Sequence, residues 1–144
     1  MDVFQYFEEE HKYIEERLAE LEHNYKDWSA ERVFVRATKM IDAITKHFDK
    51  QESLVISELK QYQELAPVIS ECLVDRKNIM EAIDDLLMDH IDSHEFRGNI
   101  GKLLKAVRQH ISFSDHKLYQ AIKANVPVEK LSELNEAVKT RMFG

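Results

Sequence analysis

Glycine, proline and cysteine are scarce in this chain: its 144 residues include three Gly, two Pro and one Cys. With so few helix breakers, most of the chain is left to residues such as Glu, Lys, Leu and Ala, which favour helices. The single cysteine, Cys72, cannot form an intrachain disulfide, as is typical of proteins in a reducing compartment. We therefore expect an all-α protein with a cytoplasmic location.

Positive charge and long apolar runs are also lacking. The formal net charge of −7 argues against a nucleic-acid partner, because phosphate binding is driven by Lys and Arg releasing counterions. No apolar run is long enough to span a bilayer. Residues 1–10 are rich in acidic side chains, whereas a secretory signal begins with basic residues and an apolar run. We expect neither nucleic acid nor a membrane as a partner.

Apolar residues recur at alternating steps of three and four along five segments, which is the spacing of one buried helix face. The breaks between these segments contain residues that cap, start or end helices: Asp2, Ser29, Pro67, Ser93 and Pro127. The second helix is expected to run to about residue 63. The last and shortest stripe consists of Leu131, Leu134, Val138 and Met142. The pattern predicts one domain over residues 1–144, an up-down-up-down four-helix bundle with a short C-terminal helix.

Three histidines lie on the apolar faces of predicted helices: His11 in the first, His47 in the second and His110 in the fourth. Gln51 follows His47 by four residues and shares its face. At about 1.5 Å per residue, His11 and His47 stand roughly 21 Å and 26 Å from the turn that joins their helices, so they meet at nearly one level. One histidine on such a face is more often a hydrogen-bonded core residue. Three at one level indicate a metal site inside the bundle.

Arg76 occupies the corresponding level on the apolar face of the third helix. Two interpretations are open for this always-charged side chain. Its guanidinium can lie inside the bundle, where a buried charge needs a counter-charge. Alternatively, its stem packs on the apolar face while its head reaches solvent.

The sequence resembles the hemerythrin-like (HHE cation-binding) family over essentially the whole chain. The resemblance is carried by residues 9–14, by residues 46–48 with 51–54, and by residues 109–111 with 114–115. It implies a four-helix bundle that holds a non-haem di-iron centre. The residues it implies as metal ligands in this chain are His11, His47, His110, Asp115 and Gln51.

Three departures from the family pattern make the implied di-iron site incomplete. Gln51 stands where the family has a bridging Glu, and this removes a charge. Arg76 stands where the third helix has a ligand histidine, with Cys72 one turn earlier. Under the resemblance, an Arg76 that lies inside the bundle would take the place of a lost metal and pair with Asp115. In the fourth helix Ser114 takes the position four residues after the histidine, although Asp115 at five residues matches the hemerythrin version. The site is therefore expected to hold one metal ion, iron if any, or none.

Two functions follow as hypotheses. The first is a small-ligand binding or sensing protein whose single metal ion leaves a position open for oxygen or another diatomic gas. The second is a metal-free structural or protein-interaction module, in which the histidines form a hydrogen-bonded core. We do not expect an enzyme such as a di-iron oxidase, because such sites use two bridging carboxylates.

Overall fold

The computed structural model describes residues 2–143, and within that range it contains five helices and no strand. The first two helices are α1 (Val3–Asn24) and α2 (Ala30–Gln51, continued by a π-helical turn at Glu52–Ile56 and a last turn at Ser57–Leu59). The others are α3 (Ala66–Met88), α4 (His94–Gln109, a π-helical turn at His110–Ser114, then Asp115–Asn125) and α5 (Val128–Phe143). The structure is 88% helical, so the prediction of an all-α bundle with an additional C-terminal helix is confirmed.

The helix ends agree with most of the predicted caps. The Asp2 carboxylate accepts a hydrogen bond from the Gln5 backbone at 2.8 Å, and the Gln5 side chain accepts one from the Asp2 backbone at 3.0 Å, which is a capping box. Ser29 caps α2 through the backbone N–H of Arg32. Ser93 precedes α4, but its hydroxyl makes no capping hydrogen bond in the described part of the chain. The prediction that α2 reaches residue 63 is wrong, since the helix ends at Leu59 and a short 3₁₀ turn precedes α3.

The core consists of two apolar clusters with a polar layer between them. One cluster includes Leu18, Met40, Ile44, Ile79, Ile83, Phe96 and Leu103. The other includes Phe4, Phe7, Leu54, Leu59, Ile69, Leu118, Leu134 and Val138. Among the side chains that the structure describes, the buried polar ones are His47, Gln51, His110 and Asp115. On each of α1, α2, α3 and α4, the polar layer lies between the residues of the first cluster and those of the second. Helix bundles that bind metals place their sites between facing helices in this way.

Helix α5 closes the end of the bundle that contains the second cluster. It packs against the start of α1 and the π-helical turn of α2. Its Leu134 and Val138 are fully or almost fully buried, and the Asn135 side chain accepts a hydrogen bond from the Val3 backbone at 2.9 Å. The side chain of Met142, the last residue of the predicted stripe, lies outside the described residues. Helix α5 thus adds to the core of the bundle.

Replacing Leu134 by Ala is expected to lower the free energy of unfolding by about 2–4 kcal/mol, because a fully packed leucine leaves a cavity. Urea denaturation measures this change. Val128→Ala, on the same helix but 77% exposed, is the matched control and should change stability by less than about 0.5 kcal/mol. An equally small effect of both substitutions would show that α5 is not part of the core.

Candidate metal centre

Helix α4 departs from α-helical geometry between His110 and Asp115, its two predicted metal ligands. In a regular α-helix, residues five apart point about 140° away from each other. The π-helical turn between His110 and Asp115 closes a hydrogen bond from the Asp115 N–H to the His110 carbonyl, which is the wider i to i+5 step. This wider turn brings Asp115 round to the inner face, where both side chains are fully buried.

The Asp115 carboxylate is the centre of the polar layer. Its Oδ2 lies 2.5 Å from His11 Nε2 and 2.7 Å from His47 Nε2. Its Oδ1 lies 2.9 Å from Gln51 Nε2 and 3.1 Å from His110 Nε2. The three histidines and Gln51 therefore meet in one layer, as their positions on the apolar faces predict, and they do so around a single carboxylate.

Carboxylates also hold two of the imidazoles from outside. His47 Nδ1 lies 3.0 Å from Glu10 Oε1, and the other oxygen of Glu10 lies 2.7 Å from Lys50 Nζ. His110 Nδ1 is hydrogen-bonded to Asp75. Both rings thus direct Nε2 inwards while a carboxylate fixes Nδ1, which is the usual arrangement of histidines that bind metals.

This arrangement favours protonated imidazoles in the metal-free state. Burial lowers the pKa of His110, but Asp115 and Asp75 raise it by more, to about 9. Burial likewise lowers the pKa of His47, and the hydrogen bonds to Asp115 and Glu10 raise it above its ordinary value. The pKa of Asp115 is well below its ordinary value: burial raises it, but the surrounding histidines outweigh that effect. Without metal, the layer therefore favours the charged forms of His47 and His110 beside an ionised Asp115.

The raised pKa of His110 makes the stability of the metal-free protein depend on pH. Protonated His110 should stabilise the folded state fully below pH 6.5, its ordinary pKa, and this stabilisation should be lost as the pH rises through about 9. Between these two values the folded state holds a proton that the unfolded state has released, so raising the pH favours unfolding. The depressed pKa of Asp115 adds stability that is lost only in acid. We expect urea midpoints of the metal-free protein to fall between pH 6.5 and 9. In His110→Gln this decline should be reduced; equal slopes would contradict the assignment.

The polar layer contains residues that could hold a metal ion. His11, His47 and Asp115 offer ligand atoms that all lie within 4.8 Å of one another. His110 Nε2 is buried and, although 3.1 Å from Asp115, makes no well-directed hydrogen bond within the described residues. A buried nitrogen without a hydrogen bond destabilises the folded state, and coordination to a metal ion would remove that cost. Imidazole nitrogens with a carboxylate form a donor set suited to iron or zinc.

Arg76 does not enter this layer. Its guanidinium lies 3.5 Å from Glu52 and 3.7 Å from Asp49, above the ring of Phe48, and its side chain is 27% exposed. The interpretation of Arg76 as a substitute for lost metal, paired with Asp115, is therefore wrong. The alternative, in which the stem packs on the bundle and the head reaches its edge, describes the structure.

Three residues of the site were missed by the sequence reasoning. Glu10 and Asp75 are the outer carboxylates, and Tyr119 accepts a hydrogen bond from Gln51 Nε2 at 3.0 Å. Tyr119 follows Asp115 by four residues, so the helical repeat could have shown that it shares a face with Asp115. The Ser114 side chain, by contrast, lies outside the described residues.

Cys72 is buried on α3 near this layer. Burial, with a smaller contribution from the charge of Asp115, raises the pKa of its thiol to about 12. The thiol therefore stays protonated, and a thiol is a poor metal ligand compared with a thiolate.

A comparison with known families agrees with this geometry. The family described as Hemerythrin HHE cation binding domain matches residues 2–122, which include every residue of the polar layer and exclude α5. The chain belongs to this hemerythrin family. No curated protein and no solved structure matches it. Within the described residues, no helix has the length and apolar character needed to cross a membrane.

Proposed function

We propose that this protein binds a single iron ion through His11, His47, His110 and Asp115, with Gln51 beside it, and exposes that ion to a small ligand such as a diatomic gas. The observation that carries the proposal is the convergence of three Nε2 atoms on one carboxylate. Bound iron supplies a Lewis acid with a position open to such a ligand.

The charge of the layer supports one ion rather than two. Asp115 is the carboxylate at its centre, and the neighbouring Gln51 amide is neutral. Two divalent cations a few ångströms apart repel each other strongly in a buried site, so they need more negative charge than one carboxylate supplies. Glu10 and Asp75 already bind the outer nitrogens of His47 and His110.

Among the three imidazoles of the site, that of His11 is the one nearest to solvent. The His11 side chain is 12% exposed, whereas those of His47 and His110 are fully buried. A groove of about 420 Å³ between α1 and α2 is lined by residues that include Glu10, whose carboxylate is hydrogen-bonded to His47. The ion is therefore proposed to be reached from the α1 side.

A metal-free interaction module is the second candidate, and one observation favours it. Asp115 is already surrounded by three imidazoles and an amide, so its charge is balanced without a cation. Both candidates are binding proteins, and we propose no catalytic activity because a second central carboxylate is missing from the described residues.

Metal analysis of protein purified without a metal-affinity tag separates the two candidates. We expect about one iron per chain and a loss of that iron in His110→Ala, since one of three imidazole ligands is removed. His116→Ala is the matched control, because His116 lies on the same helix and is exposed. An iron content near zero in both variants and in the unmodified chain would favour the metal-free module.

A further inference from the structure

Helix α3 reaches the polar layer through Asp75 rather than through a ligand. The Asp75 carboxylate is hydrogen-bonded to His110 Nδ1, and its side chain is 25% exposed. The direction of that bond is set by chemistry: a carboxylate accepts, so Nδ1 carries the hydrogen. Nε2 of the same ring, which faces Asp115, is then the nitrogen whose lone pair becomes available to a metal ion.

The two outer carboxylates differ in their own partners. The charge of Glu10 is offset by Lys50, whose Nζ lies 2.7 Å from it. Within residues 2–143, the ion pairing of Asp75 is with His110. A carboxylate that also pairs with an ammonium group accepts a weaker hydrogen bond from an imidazole N–H than a carboxylate whose charge is not shared in this way.

We propose that Asp75 is a positioning residue that fixes the orientation of His110 and makes it the strongest electron donor among the imidazole ligands. In this way α3 acts on the metal through His110, although it supplies no imidazole to the layer. The proposal rests on the proposed metal-binding function. Outer carboxylates of this kind orient their histidine and raise its basicity as a ligand.

The test is the affinity of the full chain for Co²⁺, followed by the visible absorption of the bound ion, in the unmodified protein and in Asp75→Asn. We expect affinity to fall about 10- to 100-fold and the absorption bands to shift, with both restored in Asp75→Glu. The iron potential should rise in Asp75→Asn, because a weaker donor stabilises Fe³⁺ less. Asp84→Asn, an exposed acidic residue on the same helix, is the control and should leave affinity and spectrum unchanged.

Two further variants compare the outer carboxylates. Glu10→Gln should weaken Co²⁺ binding less than Asp75→Asn does, because Lys50 already offsets the charge of Glu10. Lys50→Met should strengthen binding, and this readout does not depend on the folding of any Asp75 variant. Three results would overturn the role of Asp75 while leaving the metal site in place: unchanged affinity and spectrum in Asp75→Asn, a larger loss of affinity in Glu10→Gln, or no gain of affinity in Lys50→Met. An unmodified chain that binds neither Co²⁺ nor iron would overturn the proposed function as well.

Discussion

Replacing Asp115 by Asn is expected to abolish tight metal binding and to lower the free energy of unfolding of the metal-free protein by about 3–5 kcal/mol at pH 7. The substitution keeps the shape of the side chain but removes the charge on which His11, His47 and His110 converge. The buried rings must then stay charged without their counter-charge or lose protons that the native cluster retains. Urea denaturation and iron titration measure the two effects.

A surface aspartate provides the control for this prediction. Asp42→Asn removes an exposed charge that pairs with Lys46 four residues later on the same helix face, and such pairs contribute little. Its effect on stability should be within about 0.5 kcal/mol. If Asp115→Asn behaves like Asp42→Asn, the polar layer does not stabilise the bundle and the central role of Asp115 is wrong.

Metal loading is expected to produce the second large effect. At a free iron concentration about 1,000 times the dissociation constant, binding to the folded state alone adds about 4 kcal/mol to stability. The same loading should remove the decline in stability above pH 6.5, because the ion replaces the protons of His47 and His110 at Nε2. Binding must therefore release protons, and affinity should increase with pH. Thermal unfolding and calorimetry in buffers of different ionisation enthalpy measure these effects.

Magnesium is a useful control in this experiment, since it prefers oxygen ligands and keeps most of its water. It should neither raise the unfolding temperature nor release protons from the site. Equal stabilisation by Mg²⁺ and Fe²⁺ would mean that the ions act on the acidic surface, and the imidazole cluster would no longer be needed to explain binding.

The helices and the three histidines could be predicted because a 3.6-residue repeat determines which side chains face inwards. The same repeat places Asp115 outside the site, since five residues after His110 correspond to about 140° of rotation. Only the resemblance to the hemerythrin family implied Asp115. The reason is the π-helical turn at His110–Ser114, and apolar periodicity carries no signal for such a turn.

Helix α3 shows a second limit. Asp75 and Arg76 are adjacent and flank the buried stripe of Cys72 and Ile79. A small rotation of the helix decides which of the two faces the layer, and that rotation depends on packing with the other helices. In the structure Asp75 contacts His110 while Arg76 contacts Glu52, so the charge that α3 brings to the site is opposite to the one expected if Arg76 lay inside the bundle.

Anaerobic calorimetric titration of Fe²⁺ into the metal-free, untagged chain tests the central claim most directly, because it counts the ions that the layer holds. The donor set of His11, His47, His110 and Asp115 predicts a single binding event with a stoichiometry of one ion per chain. A stoichiometry of two would show that a di-iron centre forms despite Gln51, and the absence of binding heat and of bound iron would show that the cluster is a metal-free core.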